Sequence, residues 1–256
     1  MKIVVAVEQV PDIGDDITLA ADRRSILTEG ADWDLSYRDL CAVEAALELR
    51  EAAGGGEVVV VSVSEPEARG GVLTALALGA DRAVVVADDA LAELDDLAVG
   101  RVLSSVVERE APDLVLFGRM EAAGVALAAF LGLPRVTSVR RVDHEPGRAI
   151  ATVERALPGG RAERIEVPTP ALITVAADAY RPRYATLSGI RLAWRKPFEI
   201  LTLEETSTGA DALDAVRGAR VRALARPPRP SGAEMIEGSP DEIAERIADI
   251  IKSRVS

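Results

Sequence analysis

Residues 57–87 read EVVVVSVSEPEARGGVLTALALGADRAVVVA, and this stretch decides the class of fold. Glu57–Ser62 is apolar almost without a break, as a strand covered on both faces must be. Ser64 and Glu67 stand at the spacing of a capping box with Pro66 between them. A helix is therefore expected to open there and to end at Leu78–Gly79. Arg82–Ala87 is a second apolar run. Strand, helix and strand joined by short connections make a right-handed crossover between two parallel strands.

The same unit recurs on either side. Lys2–Gln9 (KIVVAVEQ) reads as a buried strand, followed by a polar stretch with Pro11, Asp12 and Gly14. Ile17–Leu19 and Ser25–Thr28 are spaced as a small hairpin. Ser36 is the expected N-cap of a first helix that runs to about Ala53, with Leu40, Val43 and Leu47 as its apolar stripe and Gly54–Gly56 as its stop. Downstream, Leu94–Arg109 reads as a helix with Leu103, Val106 and Val107 inward, and Asp113–Gly118 as a fourth strand. Gly124–Leu131 reads as a short Ala-rich helix opened by Gly124 and ended by Gly132 and Pro134. After Pro134 the alternation stops. Thr137–Val142, Ile150–Val153, Glu163–Val167 and Ala171–Val175 are strand-like, with turn signals at Glu145-Pro146-Gly147 and Pro158-Gly159-Gly160, which predicts an antiparallel extension of the sheet. Residues 1–180 form one expected domain. Residues 181–256 are rich in Arg and Pro, as in Arg226–Pro230, and close on one helix capped by Ser239 and Glu242 around Pro240, with Ile243, Ile247, Ile250 and Ile251 on one face. Such an arm wraps either its own domain or a partner.

Across 256 residues the net charge is −12, aromatics are 3% and hydrophobic residues 48%. The acidic balance argues against nucleic-acid binding and against a polybasic membrane anchor. No apolar run is long enough to span a bilayer, and the chain opens on a strand rather than a signal peptide, so a cytoplasmic protein without direct membrane insertion is expected.

Catalytic and metal constellations are not visible in the sequence. His144, the only histidine, sits between Asp143 and Glu145 in an expected solvated turn, and Cys41, the only cysteine, reads as a small buried hydrophobe. The pairs Asp88-Asp89 and Asp95-Asp96 fall at loops or helix starts. Neither a Walker A motif nor a G-x-G-x-x-G follows a strand. What remains is the crevice that an open parallel sheet offers at its carboxyl edge, here at Ala6–Gln9 and at Gly118 onward. Tyr184–Gly189 lies in an irregular region; Leu187 is either tucked beneath its loop or an exposed anchor for a partner. Trp33 and Trp194 read as core or rim residues.

Seven segments in order carry a resemblance: VAVEQVPD at Val5–Asp12, DLCAVEAALELRE at Asp39–Glu51, ALALGADRAVVV at Ala75–Val86, APDLVLFG at Ala111–Gly118, TVERAL at Thr152–Leu157, VPTPALITV at Val167–Val175 and RPRYATLSGIRLAWRKPFEIL at Arg181–Leu201. Together with Gly132-Leu133-Pro134 they resemble the beta subunits of electron-transfer flavoproteins, FixA-like proteins included. That resemblance implies a Rossmann-like α/β fold of the adenine nucleotide alpha hydrolase type, mostly parallel, with an antiparallel extension and a C-terminal wrapping arm. It implies a non-catalytic half of a heterodimer, with FAD held mainly by an alpha subunit, taking electrons from flavin dehydrogenases to a quinone reductase or similar acceptor. A structural AMP is implied in the crevice at Ala6, Ser36, Tyr37, Arg38, Asp39 and Val63 for the adenine, and at Gly118, Arg119 and Gly124 for the phosphate. Partner docking is implied at Tyr184 and Leu187. The stretch between Gly118 and Gly124 is shorter than in the family, and Glu8 stands where lysine is common. AMP therefore rests on capture by a helix terminus, with Arg119 as a substitute charge and Glu121 opposing it. A nucleotide-free scaffold and an adenine-nucleotide-binding regulator are the alternatives on the same fold.

Overall fold

The computed structural model describes residues 1–14, 17–64, 69–88, 91, 94–118, 121–216, 218–227 and 235–255. Elements follow in chain order: β1 (Lys2–Ala6), β2 (Gln9–Asp12), β3 (Asp32–Leu35), α1 (Tyr37–Ala52), β4 (Glu57–Ser64), α2 (Gly70–Leu78), β5 (Arg82–Ala87), α3 (Asp96–Glu110), β6 (Leu114–Phe117) and α4 (Glu121–Leu131). Then come β7 (Arg135–Asp143), β8 (Ile150–Leu157), β9 (Arg161–Pro168), β10 (Ala171–Val175), α5 (Leu187–Ala193), β11 (Phe198–Leu201), α6 (Gly209–Val216) and α7 (Pro240–Val255).

Among the described residues nine strands form one sheet in the order β11-β5-β4-β1-β6-β10-β7-β8-β9. Pairing is parallel from β11 to β7 and antiparallel from β7 through β9. This is the mostly parallel α/β architecture with an antiparallel extension that the sequence predicts. The apolar runs are unbroken because each strand feeds two cores. Ile3, Val5, Val58 and Val60 pack with α1 and α2 on one face, while Val4, Ala6, Val59 and Val61 pack with α3 and α4 on the other. Each such buried Val or Ile stabilises the fold by about 1.5–3 kcal/mol before entropy is counted.

Several expectations shift. β1 stops at Ala6, and Gln9 begins a separate two-stranded sheet of β2 with β3. Ile17–Thr28 does close on itself, through a Leu19–Ile26 bridge. α1 is capped by Ser36 as predicted, but it is buried well beyond one stripe. The helix after β4 begins at Gly70; Ser64 is the last residue of β4, while Pro66 and Glu67 lie outside the described residues. α4 opens at Glu121, so Gly124 stands inside it, facing the Phe117 ring, rather than at its start. β10 is parallel to both β6 and β7 and belongs to the main sheet, not to the extension. β7 changes partners at a bulge, where Ser138 adopts a φ of 56° and its N–H donates to Thr174 Oγ1 at 2.8 Å.

The chain divides into two compact units, Met1–Arg222 and Ala223–Ser256. α5, β11 and α6 lie in the first and had no counterpart in the sequence reading. The second contains α7, whose Ser239–Glu242 capping box forms as predicted: Glu242 N–H donates to Ser239 Oγ at 3.4 Å and Ser239 N–H to Glu242 Oε2 at 2.8 Å. Of its stripe, Ile247, Ile250 and Ile251 are exposed to varying degrees above two-fifths. Among the described residues no helix is long and apolar enough to cross a membrane.

Candidate functional site

β1 lies between β4 and β6, and the chain runs from β1 to β4 on one side and reaches β6 on the other. That reversal opens a crevice at the carboxyl ends of these strands. Ala6 is opposite Val61 of β4 and Phe117 of β6, so Val63 and Gly118, just beyond, flank it. The first turn of α1 closes the third side. Ser36 Oγ accepts from Asp39 N–H at 3.2 Å and donates to Asp39 Oδ2 at 2.7 Å, which buries the Asp39 carboxylate. Tyr37 and Arg38 remain exposed. The first N–H groups of a helix have no intrahelical acceptor, so this turn presents donors and a positive dipole end to the crevice.

The structure thus brings together Ala6, Ser36, Tyr37, Arg38, Asp39, Val63 and Gly118. Gly118 has a packing role that sequence reading missed. A Cβ built on it would lie 2.2 Å from the Arg38 carbonyl oxygen and 2.6 Å from Asp39 Cα, so only glycine lets β6 end against the first turn of α1. Gly124 is held one turn inside α4 and does not present a helix terminus. Arg119 lies outside the described residues, as does the Glu121 side chain. The residues expected around an adenine therefore lie near one another at the ends of β1, β4 and β6 and the start of α1, while Arg119, expected at the phosphate, lies outside the described residues.

A second surface lies at α5. Tyr184 is 94% exposed, Leu187 79% and Trp194 72%, with Ile190 and Leu192 about half exposed. Leu187 is thus on the outside, not tucked beneath its loop, and Trp194 is a rim residue. Thr186 caps α5, its Oγ1 accepting from Gly189 N–H at 3.0 Å.

Charged contacts hold this surface at both ends. Glu44 Oε2 on α1 accepts from the Arg183 backbone N–H at 3.0 Å, Glu44 Oε1 accepts from Arg183 Nη2 at 2.8 Å, and Glu51 Oε1 accepts from Arg183 Nη1 at 2.7 Å. These hydrogen bonds with Glu44, then Glu51, push the guanidinium pKa further up. At the other end Lys196 Nζ donates to the carbonyls of Leu76 at 2.8 Å and Ala80 at 2.5 Å. Burial lowers its ammonium pKa. Sequence carries no signal for either tie, because the partners are more than a hundred positions apart.

Other chemistry-bearing residues singled out in the sequence make local contacts. Cys41 is buried, its thiol donating to the carbonyls of Ala177 and Tyr180 at 3.3 Å, and burial raises its pKa. His144 is half-buried rather than solvated, with Nδ1 2.8 Å from the Glu145 carbonyl. Asp95 caps α3, accepting from Ala98 N–H, and Asp88 accepts from Leu203 N–H; Asp89 is outside the described residues.

Against known proteins, residues 24–206 match the family model of the electron transfer flavoprotein domain. The chain is 35% identical to the electron transfer flavoprotein subunit beta of Methylophilus methylotrophus, with 98% of each chain covered. It is 31% identical to the caffeyl-CoA reductase-Etf complex subunit CarD of Acetobacterium woodii, covering 99% of each. It is 29% identical to the mitochondrial electron transfer flavoprotein subunit beta of Arabidopsis thaliana, over 96% of this chain and 97% of that one. A family match over most of the sequence, together with relatives more than 30% identical over nearly the full length, has one reading: the chain belongs to the electron transfer flavoprotein beta-subunit family.

Proposed function

We propose that this chain is the non-catalytic beta half of a heterodimeric electron carrier, with FAD held mainly by an alpha-type partner. Electrons enter from flavin dehydrogenases and leave toward a quinone reductase or similar acceptor, in the cytoplasm. The observation that carries this reading is the outward-facing apolar set Leu187 and Ile190 on α5 with Tyr184 before it and Trp194 at its C-cap. Exposed large apolar residues that cluster mark a docking surface rather than a core. FAD, when bound, supplies reversible electron uptake; the residues of this chain contribute shape, exclusion of water and docking.

AMP binding in the crevice is part of the proposal for the adenine side only: Ala6 and Val63 would bracket the ring, and the first turn of α1 would supply N–H donors through Tyr37 and Arg38. Its phosphate grip would rest on Arg119 and the start of α4, and the span from Gly118 to Gly124 leaves few other groups for it. Titration calorimetry of the complex with AMP reads this directly; absence of heat favours the nucleotide-free scaffold.

Co-expression with an alpha-type partner tests the main reading. The chain alone should be colourless and the purified pair should carry a flavin spectrum. A pair that copurifies without FAD would remove the proposal.

A further inference from the structure

We propose that Arg183 is the positioning residue of the docking surface, its fork on Glu44 fixing where α5 begins and therefore where Leu187 stands. The inference rests on the docking reading above and adds how that surface is held.

Residues 181–186 have no regular secondary structure, and the large apolar side chains Tyr184, Leu187, Ile190 and Leu192 point outward, leaving only the small Ala185 and Ala193 against the core. Apolar packing at Tyr184 and Leu187 cannot fix this segment, since both expose most of their surface. Directional contacts do so instead. The Glu44 side chain is only 6% exposed, on the central helix α1, and one carboxylate receives both the main-chain N–H and the guanidinium of Arg183. Binding the main chain fixes the path of the segment; binding the planar fork fixes its rotation. A buried ion pair seldom adds more stability than an apolar pair of the same volume. With Glu44 buried and Arg183 one-third exposed, a role in geometry accounts for this pair better than a role in stability. Lys196, on the carbonyls that end α2, supplies the second point of suspension. Glu51 is a lesser tie, because its side chain is 53% exposed.

The test uses the complex of this chain with its flavin-bearing partner and a flavin-dependent dehydrogenase chosen because it reduces the wild-type complex. Arg183→Met removes the fork; Arg183→Lys keeps a charge beside Glu44 and loses the planar, two-pronged contact. The expected result is a KM for the carrier raised about tenfold in Arg183→Met and about three- to tenfold in Arg183→Lys. Turnover at saturation and flavin content should stay within about twofold of wild type, and reduction by dithionite should be unchanged. If Arg183→Met does not fold, the lysine variant decides alone. Leu187→Ala is measured alongside. If it raises KM and neither Arg183 variant does, the positioning role is overturned and docking stands. If Leu187→Ala leaves KM unchanged, docking itself is overturned and the inference falls with it. A loss of flavin and of melting temperature in step with KM would make the contact structural and also overturn it.

Discussion

Three cations converge on the carboxylate of Glu110 at the end of α3. Lys2 Nζ lies 2.7 Å from Oε2, Arg82 donates to both oxygens, and Arg109 Nη2 lies 3.4 Å from Oε1. Burial pushes the Glu110 carboxyl up, but the hydrogen bonds and charges of Arg82 and Lys2 outweigh it and hold its pKa at about 2. A carboxyl depressed in the folded state adds stability that is fully present above its unfolded pKa of about 4.3 and is lost as pH falls toward about 2. Glu110→Gln should therefore cost up to about 3 kcal/mol at pH 7, and the gap from wild type should narrow steadily between pH 5 and pH 3. Urea midpoints across that range check it; a gap independent of pH would show that the carboxylate is not what matters. None of this was legible beforehand. Lys2, Glu57, Arg82 and Glu110 stand at strand or helix ends far apart in the sequence, and only the tertiary fold, including the parallel register that sets Lys2 beside Glu57, brings them together. Arg183 and Glu44 are the same case: a conspicuous arginine and an unremarkable helix glutamate, joined by tertiary structure alone.

At the scale of elements, the contact between α2 and α5 depends on an absent side chain. A Cβ on Gly189 would lie 2.5 Å from the Ala77 carbonyl oxygen, a backbone atom that cannot swing aside. Gly189→Ala would gain up to about 1 kcal/mol of helix propensity, yet overpacking of this kind costs about 1–3 kcal/mol. The overlap should win. The variant should melt a few degrees lower and should also raise the KM of the carrier, because α5 must lift away from α2; an unchanged melting curve with unchanged KM would refute the packing argument. Elements with a core face were readable: α1, β5 and β10 lie close to the bounds that their capping residues and unbroken apolar runs write locally. α5 was not. It is short, and its large apolar residues face outward, so it has no inward period to detect. β10 shows the other limit. ALITV is buried at every position, a mark of a strand inside a parallel sheet, but the neighbouring alternation of β7 to β9 drew it into the wrong group.

For the molecule as a whole, the position of the crevice was legible because strand order follows from repeated crossovers and places it beside β1. The outward face of α5 was not, because whether a leucine is covered depends on parts of the chain far from it. The C-terminal unit, Ala223–Ser256, turns that distinction into an experiment. Both cores are built from described residues no later than Val216. The second unit falls below the roughly 40 residues that usually suffice for a core of its own. The isoleucine stripe of α7 therefore represents apolar area that a partner could bury. A chain ended at Arg222 should keep its far-ultraviolet circular dichroism per residue apart from the lost helix, and should melt within about 3 °C of the full chain, the shift expected for 1 kcal/mol at this size. Co-expressed with the proposed alpha-type partner, it should dissociate at least about tenfold more readily on gel filtration, a difference of about 1.4 kcal/mol or more. If truncation instead unfolds the sheet while leaving association of the soluble remainder intact, the arm serves its own domain, and the partner-embracing role is lost.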